Sequence, residues 1–156
     1  MGETENKAFR HLASNRKALR EYFVLERIEA GLALQGTEVK SLRAGEASLA
    51  GAYALADGAG IVLQGLTIPP YEYGNRFNHE PNRPRRLLLH AREIRNLKAQ
   101  IEQQGRALIP LRLYLKRGRV KVELGLCKGK TGADKRETLR RKTAEREAER
   151  AMAARR

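Results

Sequence analysis

The chain has 156 residues, 41% of them hydrophobic, which supplies one buried core and not two. Lysine and arginine outnumber aspartate and glutamate 32 to 18, a formal net charge of +14 with a pI near 10.5, and so large an excess points to a polyanion as partner. No run approaches the ~18 apolar residues of a membrane-spanning helix, the N-terminus MGETENKAFRH lacks the apolar centre of a signal peptide, and one cysteine, Cys127, builds neither a disulfide framework nor a metal cage, so a cytoplasmic protein without cofactor, metal or small-molecule substrate is expected.

Residues 1–14 are polar and without a sustained period; they are read as a mobile arm, with Asn15, Arg16 and Lys17 introducing the first strand. From Tyr22 the even positions read Tyr22, Val24, Glu26, Ile28, Ala30, Leu32 and Leu34, apolar except at Glu26, while Arg27, Glu29 and Gln35 fall among the odd ones. A period of two with one apolar face is a half-buried strand, and Gly31 inside it marks a bend or a close approach of another backbone. After Gly36, Thr37 can cap a short helix with Val39 and Leu42 inward, Lys40 and Arg43 outward and Gly45 as the stop. The cations of that helix face the acidic Glu29 of the strand.

Ser48 to Ile68 reads as a hairpin turning at Asp57-Gly58, closed by Pro69-Pro70. The loop that follows, Tyr71 to Arg86, mixes Tyr71, Tyr73 and Phe77 with Arg76, Arg83, Arg85 and Arg86. Such rings can stack on bases and such cations can neutralise phosphates, although the rings can equally fold back onto the body. Leu87, Leu88 and Leu89 make a short buried strand ending at His90, and Ile94, Leu97 and Ile101 recur at helical spacing up to Gly105. His79 and His90 have no partner at metal-ligand spacing. Two strands close the body: Leu111, Leu113 and Leu115 alternate with Arg112, Tyr114 and Lys116, Arg117-Gly118 turns, and Val120, Val122, Leu124 and Leu126 alternate with Lys121 and Glu123. Short antiparallel strands with a helix interposed define a mainly β, α+β fold, a small closed barrel of the OB type spanning 15–128.

Lys128 to Arg156 carry 11 basic and 5 acidic residues, net +6, so +8 of the total belongs to residues 1–127. Gly129, Thr131 and Gly132 form a flexible joint, after which Asp134 can cap a helix with Glu137 three residues on. Leu139 and Met152 are its only large apolar groups, so the tail, 129–156, is expected to be disordered when free and helical when held in an anionic groove.

The runs EYFVLERIEAGLALQGTEVKSLRAG, NHEPNRPRRLLLH and GLCKGKTGADKR, in this order before a basic tail, closely resemble the SmpB (small protein B) family from Asn15 to Arg156. The resemblance implies an OB-like antiparallel barrel with flanking helices and a role in trans-translation, the rescue of stalled ribosomes, with tmRNA and the ribosome as partners. It places Glu29, Leu88 and His90 against the tRNA-like domain of tmRNA; Lys40, Arg43, Arg83, Arg85, Arg86 and Lys121 are read from charge and position as RNA-facing cations. It places Gly129, Lys130, Asp134, Lys135 and Arg136 near the decoding centre; Arg140, Arg141, Arg146 and Arg150 then reach phosphates of the mRNA channel and Met152 an apolar contact further down. Two positions depart from the family pattern: His90 stands where many members have Asn, and Ala133 where some have a histidine able to stack on rRNA. No role needs a catalytic residue. Two other readings stay open here: a generic OB-fold RNA-binding or ribosome-associated module, and a small nuclease using Glu29 or Glu38 with His79 or His90, which lacks the paired carboxylates that hydrolysis needs.

Overall fold

A computed structural model describes residues 9–74, 78–103 and 106–154. Seven strands and four helices follow in the order β1 (Phe9–Ser14), α1 (Arg16–Glu21), β2 (Tyr22–Leu32), α2 (Gly36–Arg43), β3 (Tyr53–Asp57), β4 (Gly60–Gln64), β5 (Arg85–Leu88), α3 (Ala91–Glu102), β6 (Arg106–Lys116), β7 (Arg119–Gly129) and α4 (Gly132–Ala154). All pairings are antiparallel, and those of β6, β3, β4, β5, β2 and β7 return to β6, so six strands form a closed ring with β1 laid along one end of β6. Closure removes the exposed edges that make isolated sheets sticky. Inside lie Ala30, Leu32, Leu63, Leu87, Leu108, Leu113, Val122 and Leu124. Leu42 of α2 and Leu97 of α3 close the same core. Each fully buried leucine of this set contributes about 1.5–3 kcal/mol.

Several expectations are corrected. The arm read as mobile through residue 14 is a strand from Phe9, because Phe9 stacks on Tyr114 (ring centroids 4.8 Å apart) and the backbone pairs with Arg112–Lys116; residues 1–8 lie outside the described residues. Asn15 to Lys17 begin not a strand but α1, since the Asn15 side chain accepts a hydrogen bond from the Ala18 N–H and donates one to the Pro110 carbonyl at 2.9 Å. In α2 the N-cap is Gln35 rather than Thr37: the Gln35 N–H donates to the Glu38 carboxylate at 2.8 Å, while the Thr37 hydroxyl is taken by His79. The β3–β4 hairpin turns on Gly58-Ala59, Asp57 being the last paired residue opposite Gly60. Gly105, like Arg76 and Phe77 of the loop, lies outside the described residues.

The largest correction concerns β2. Its even positions do not share one face, because a bulge between Val24 and Glu26 leaves Leu25 as an extra residue opposite β7. On the far side of the bulge Ile28, Ala30 and Leu32 enter the barrel, whereas Tyr22 and Val24 lie outside it with Ala18, Ile109, Leu111 and Cys127, roofed by α1. A second bulge, between Pro110 and Arg112, does the same to β6: Leu108 and Leu113 point in, Ile109 and Leu111 out. Proline, which cannot donate to a ladder, is tolerated at such a break.

Candidate nucleic-acid interface

The two bulges also decide what the outer face carries. Past them, β2, β7 and β6 turn outward Arg27 and Glu29, Lys121 and Glu123, and Arg112, Tyr114 and Lys116. Glu29 is directly opposite Glu123, a like-charge pair that disfavours the ladder unless each is neutralised. Arg27 lies 2.6 Å and Arg112 3.0 Å from the Glu123 carboxylate. Glu29 accepts a hydrogen bond from the Tyr114 hydroxyl and lies 3.4 Å from Lys116 Nζ. The Tyr114 hydrogen bond, with Lys116 and Lys121 adding to it against the cost of burial, holds the Glu29 carboxyl below the usual range.

Beside Glu29 opens a groove of about 680 Å³ between the β3–β4 turn, β5 and the start of α3, lined by Glu29, Gly60, Arg86, Leu88, His90 and Lys121 among others. Glycines make room for its walls. A Cβ on Gly31 would come 3.2 Å from the Leu88 Cβ, and one on Gly60 would clash with Arg86 Nη1, so the guanidinium lies where only glycine lets it. Leu88, expected in a buried strand, is instead 55% exposed at the groove's lip while Leu87 fills the core. His90 is the N-cap residue of α3, its N–H donating to the Glu93 carboxylate at 3.0 Å, with the ring exposed.

Five of the expected barrel residues, Glu29, Arg86, Leu88, His90 and Lys121, therefore converge. Four do not. Arg85 is a correction: it is fully buried, its Nε and Nη2 both 2.6 Å from Glu38 Oε2 and its other donors on the Leu66, Glu80 and Pro81 carbonyls, so it holds the loop to the barrel and has nothing left for a phosphate. Arg83 is drawn to the other oxygen of Glu38, with a third of its side chain exposed. Lys40 lies over the Tyr71 ring at 5.7 Å, and Arg43 is exposed at the end of α2. His79 is structural as well: Nε2 donates to the Ile68 carbonyl at 2.8 Å, which leaves Nδ1 to accept from Thr37 at 2.9 Å. Among the described residues no group of three or more His, Cys, Asp or Glu could hold a metal ion, and no helix is long and apolar enough to cross a membrane.

The tail leaves from a fixed point. Lys130 donates its N–H to the Glu21 carbonyl at 2.8 Å and its ammonium to the Leu19 carbonyl at 3.2 Å, with the charge 4.9 Å over the Phe23 ring. Burial, then the nearby Arg141 and Lys142, holds Lys130 below the usual lysine range, with Asp134 opposing. The residue capping α4 is Thr131, not Asp134; Asp134 sits one turn in and returns the bond, accepting from the Thr131 N–H at 3.1 Å and hydroxyl at 2.9 Å. The tail is helical from Gly132 to Ala154. That cap and the strong helix formers Ala, Arg, Glu and Lys favour the helix. Arg136, Arg140, Arg141, Arg146 and Arg150 are exposed along α4, and Met152 is 67% exposed.

A closed six-strand barrel with a groove on one side, walled by Arg86 and Lys121 as well as Glu29 and Glu93, and a cationic helix leaving it defines a small basic β-barrel protein. The model of the family described as SmpB protein matches residues 12–154. An SsrA-binding protein of Halalkalibacterium halodurans is 50% identical over 152 residues, 97% of either chain, and one of Desulforudis audaxviator is 54% identical over 140 residues, 90% of this chain and 92% of its own. A solved structure described as "tmRNA-SmpB: a journey to the center of the bacterial ribosome" superposes with a TM-score of 0.66 at 46% identity, covering 82% of this chain and 94% of that one. The chain belongs to the SmpB family.

Proposed function

We propose that this chain is a tmRNA-binding protein of trans-translation: the barrel groove takes the tRNA-like domain of tmRNA, and α4 enters the decoding centre and empty mRNA channel of a stalled ribosome. The observation that carries the first half is the convergence of Glu29, Arg86, Leu88, His90 and Lys121 on one groove in a member of this family. Arg86 and Lys121 supply phosphate contacts, Leu88 an apolar surface against sugar or base, and the exposed His90 ring a hydrogen bond. Glu29 repels phosphate, so it belongs opposite a hydrogen-bond donor.

The second half rests on α4. About 35 Å of helix, at 1.5 Å per residue over 23 residues, extends cations away from the barrel with too little apolar surface to bind it back. Lys130, Lys135, Arg136, Arg140, Arg141, Arg146 and Arg150 match RNA walls, and a vacant channel is where such a rod fits. The role is one of binding and presentation, with no reaction catalysed. Deleting the chain from Asp134 onward is expected to leave tmRNA affinity in a gel-shift assay within about twofold of the full chain and to abolish peptide tagging in a purified translation system. Normal tagging by that truncation sinks the assignment of α4. Equal affinity for tmRNA and for unrelated structured RNAs at fixed salt would make the barrel a general RNA binder instead.

A further inference from the structure

Tyr114 projects from β6 on the charged outer face, yet it is only 3% exposed. The reason is β1. Phe9 stacks on the Tyr114 ring at 4.8 Å and 28°, and the Arg112 guanidinium lies 5.2 Å over Tyr114 and 5.6 Å over Phe9. Arg112 is itself pinned by Glu123, through Nε at 3.1 Å and Nη2 at 3.0 Å. A phenol already held by a stacked ring and a neighbouring guanidinium costs little further ordering when it donates its one proton, and that proton goes to Glu29 Oε2, the oxygen that Lys116 also approaches. Among the described residues Glu29 Oε1 has no protein donor.

We propose that Tyr114, seated by Phe9 and Arg112, is a positioning residue of the RNA groove: it holds the Glu29 carboxylate by Oε2 so that Oε1 is presented, already oriented, to a neutral hydrogen-bond donor of the bound RNA. This rests on the reading of the groove as the tmRNA site and deepens it. A carboxylate free to rotate between Lys116 and Lys121 turns toward the nearest ammonium. One anchored at Oε2 keeps an acceptor available, and in RNA the neutral donors are the 2′-hydroxyl and the base N–H groups. Phosphate has no proton to give at neutral pH, so the device rewards the sugar and base edges and penalises backbone. It also makes β1, which touches no part of the groove, a contributor to recognition.

The test is a double-mutant cycle on the full-length protein with the tRNA-like domain of tmRNA as probe, combining Tyr114→Phe with Glu29→Ala. Y114F keeps the ring and its stack and removes only the proton donor, so its melting temperature monitors the fold separately. Roughly five- to tenfold weaker RNA binding is expected for Y114F, with no change in the salt slope because no phosphate contact is lost, and no additional weakening once Glu29 is already Ala. Phe9→Ala should give a smaller loss that also vanishes in the E29A background. In the ¹³C spectrum the Glu29 carboxyl, faced by Tyr114, Lys116, Lys121, Arg112 and Glu123, should titrate at higher pH in Y114F. Probes carrying 2′-deoxy sugars or bases lacking an N–H donor separate the two donor sources: whichever substitution abolishes the Y114F penalty identifies the group. Wild-type affinity in Y114F, or a full-sized loss persisting in the E29A background, overturns the positioning role while leaving the groove intact. Unchanged affinity in E29A alone overturns both the groove assignment and this proposal.

Discussion

Replacing Glu38 by Gln removes one charge from the most buried polar cluster among the described residues. Glu38 and Arg85 are both fully inaccessible, with Arg83 on the second carboxylate oxygen and the Gln35 N–H beside it. In E38Q the Arg85 guanidinium keeps its carbonyl partners but loses its counter-charge, and the amide can accept at only one of its two ends. Breaking one side of a buried pair costs about 3–5 kcal/mol, out of a total stability of order 5–15. For a chain of this size each kcal/mol moves the melting temperature by about 2–4 °C, so E38Q should melt roughly 6–20 °C lower by circular dichroism. The acid limb should change too. Burial raises the Glu38 carboxyl, but Arg83, the Gln35 N–H and Arg85 together bring it below its ordinary value, so its contribution is present above the usual carboxylate range and is lost as pH falls through the depressed value. E38Q should lose that part of the acid sensitivity. RNA affinity below the melting range should stay within about twofold, because the cluster faces the loop and not the groove. A melting shift under about 2 °C, or an Arg85→Ala variant that melts normally while its salt slope falls by about one unit, would refute the structural role of Arg85 and restore it as a phosphate contact.

Gly60→Ala should displace Arg86 and lower tmRNA affinity, with a salt slope reduced by up to about one unit and a melting temperature moved by less than about 3 °C; an unchanged slope means that Arg86 does not reach phosphate. Burial pushes the Cys127 thiol up to about 11 from 9.0, so stability present at pH 8 should decline between pH 9 and 11, and Cys127→Ala should lose that alkaline dependence in equilibrium unfolding. Arg146→Pro removes one charge but breaks α4 at a cost of about 3 kcal/mol, so tagging should fall well below the level given by Arg146→Ala; equal tagging by the two variants would show that helical continuity is not used.

Alternation and turn chemistry made the β3–β4 hairpin, the β6–β7 turn and the helix with Ile94, Leu97 and Ile101 legible, because the apolar period holds on either side of each turn and along the helix. Where the sequence misled, a local break had changed the phase. Leu25 and Leu111 are ordinary leucines in strand-like runs, and nothing in their identity announces that each is the extra residue of a bulge. Arg85 stood in a cation-rich loop with Arg83 and Arg86, and only its pairing with Glu38, 47 positions earlier, separates a structural cation from a binding one. Phe9 was hidden for the same reason, since its partner Tyr114 lies at the other end of the chain. The visible signal was Tyr114 itself, an aromatic set between Arg112 and Lys116 on a face otherwise given to charge. Glu29, Leu88 and His90 were found through resemblance, and the groove that joins them needed the fold.

The attachment of Lys130 to Glu21 and Leu19 gives the tail an origin as well as a direction. A rod anchored at one end is indexed: each residue of α4 stands at a set distance and a set angle from the barrel, advancing about 1.5 Å and turning about 100° per residue. Reach and phase can therefore be separated by length alone. One alanine inserted after Thr143 swings Arg146, Arg150 and Met152 by about 100° for a shift of about 1.5 Å, whereas seven return them to within about 20° of their original bearing while moving them about 10 Å farther out. If the far cations act by bearing, the seven-residue insertion is the milder of the two; if they act by depth, it is the more damaging.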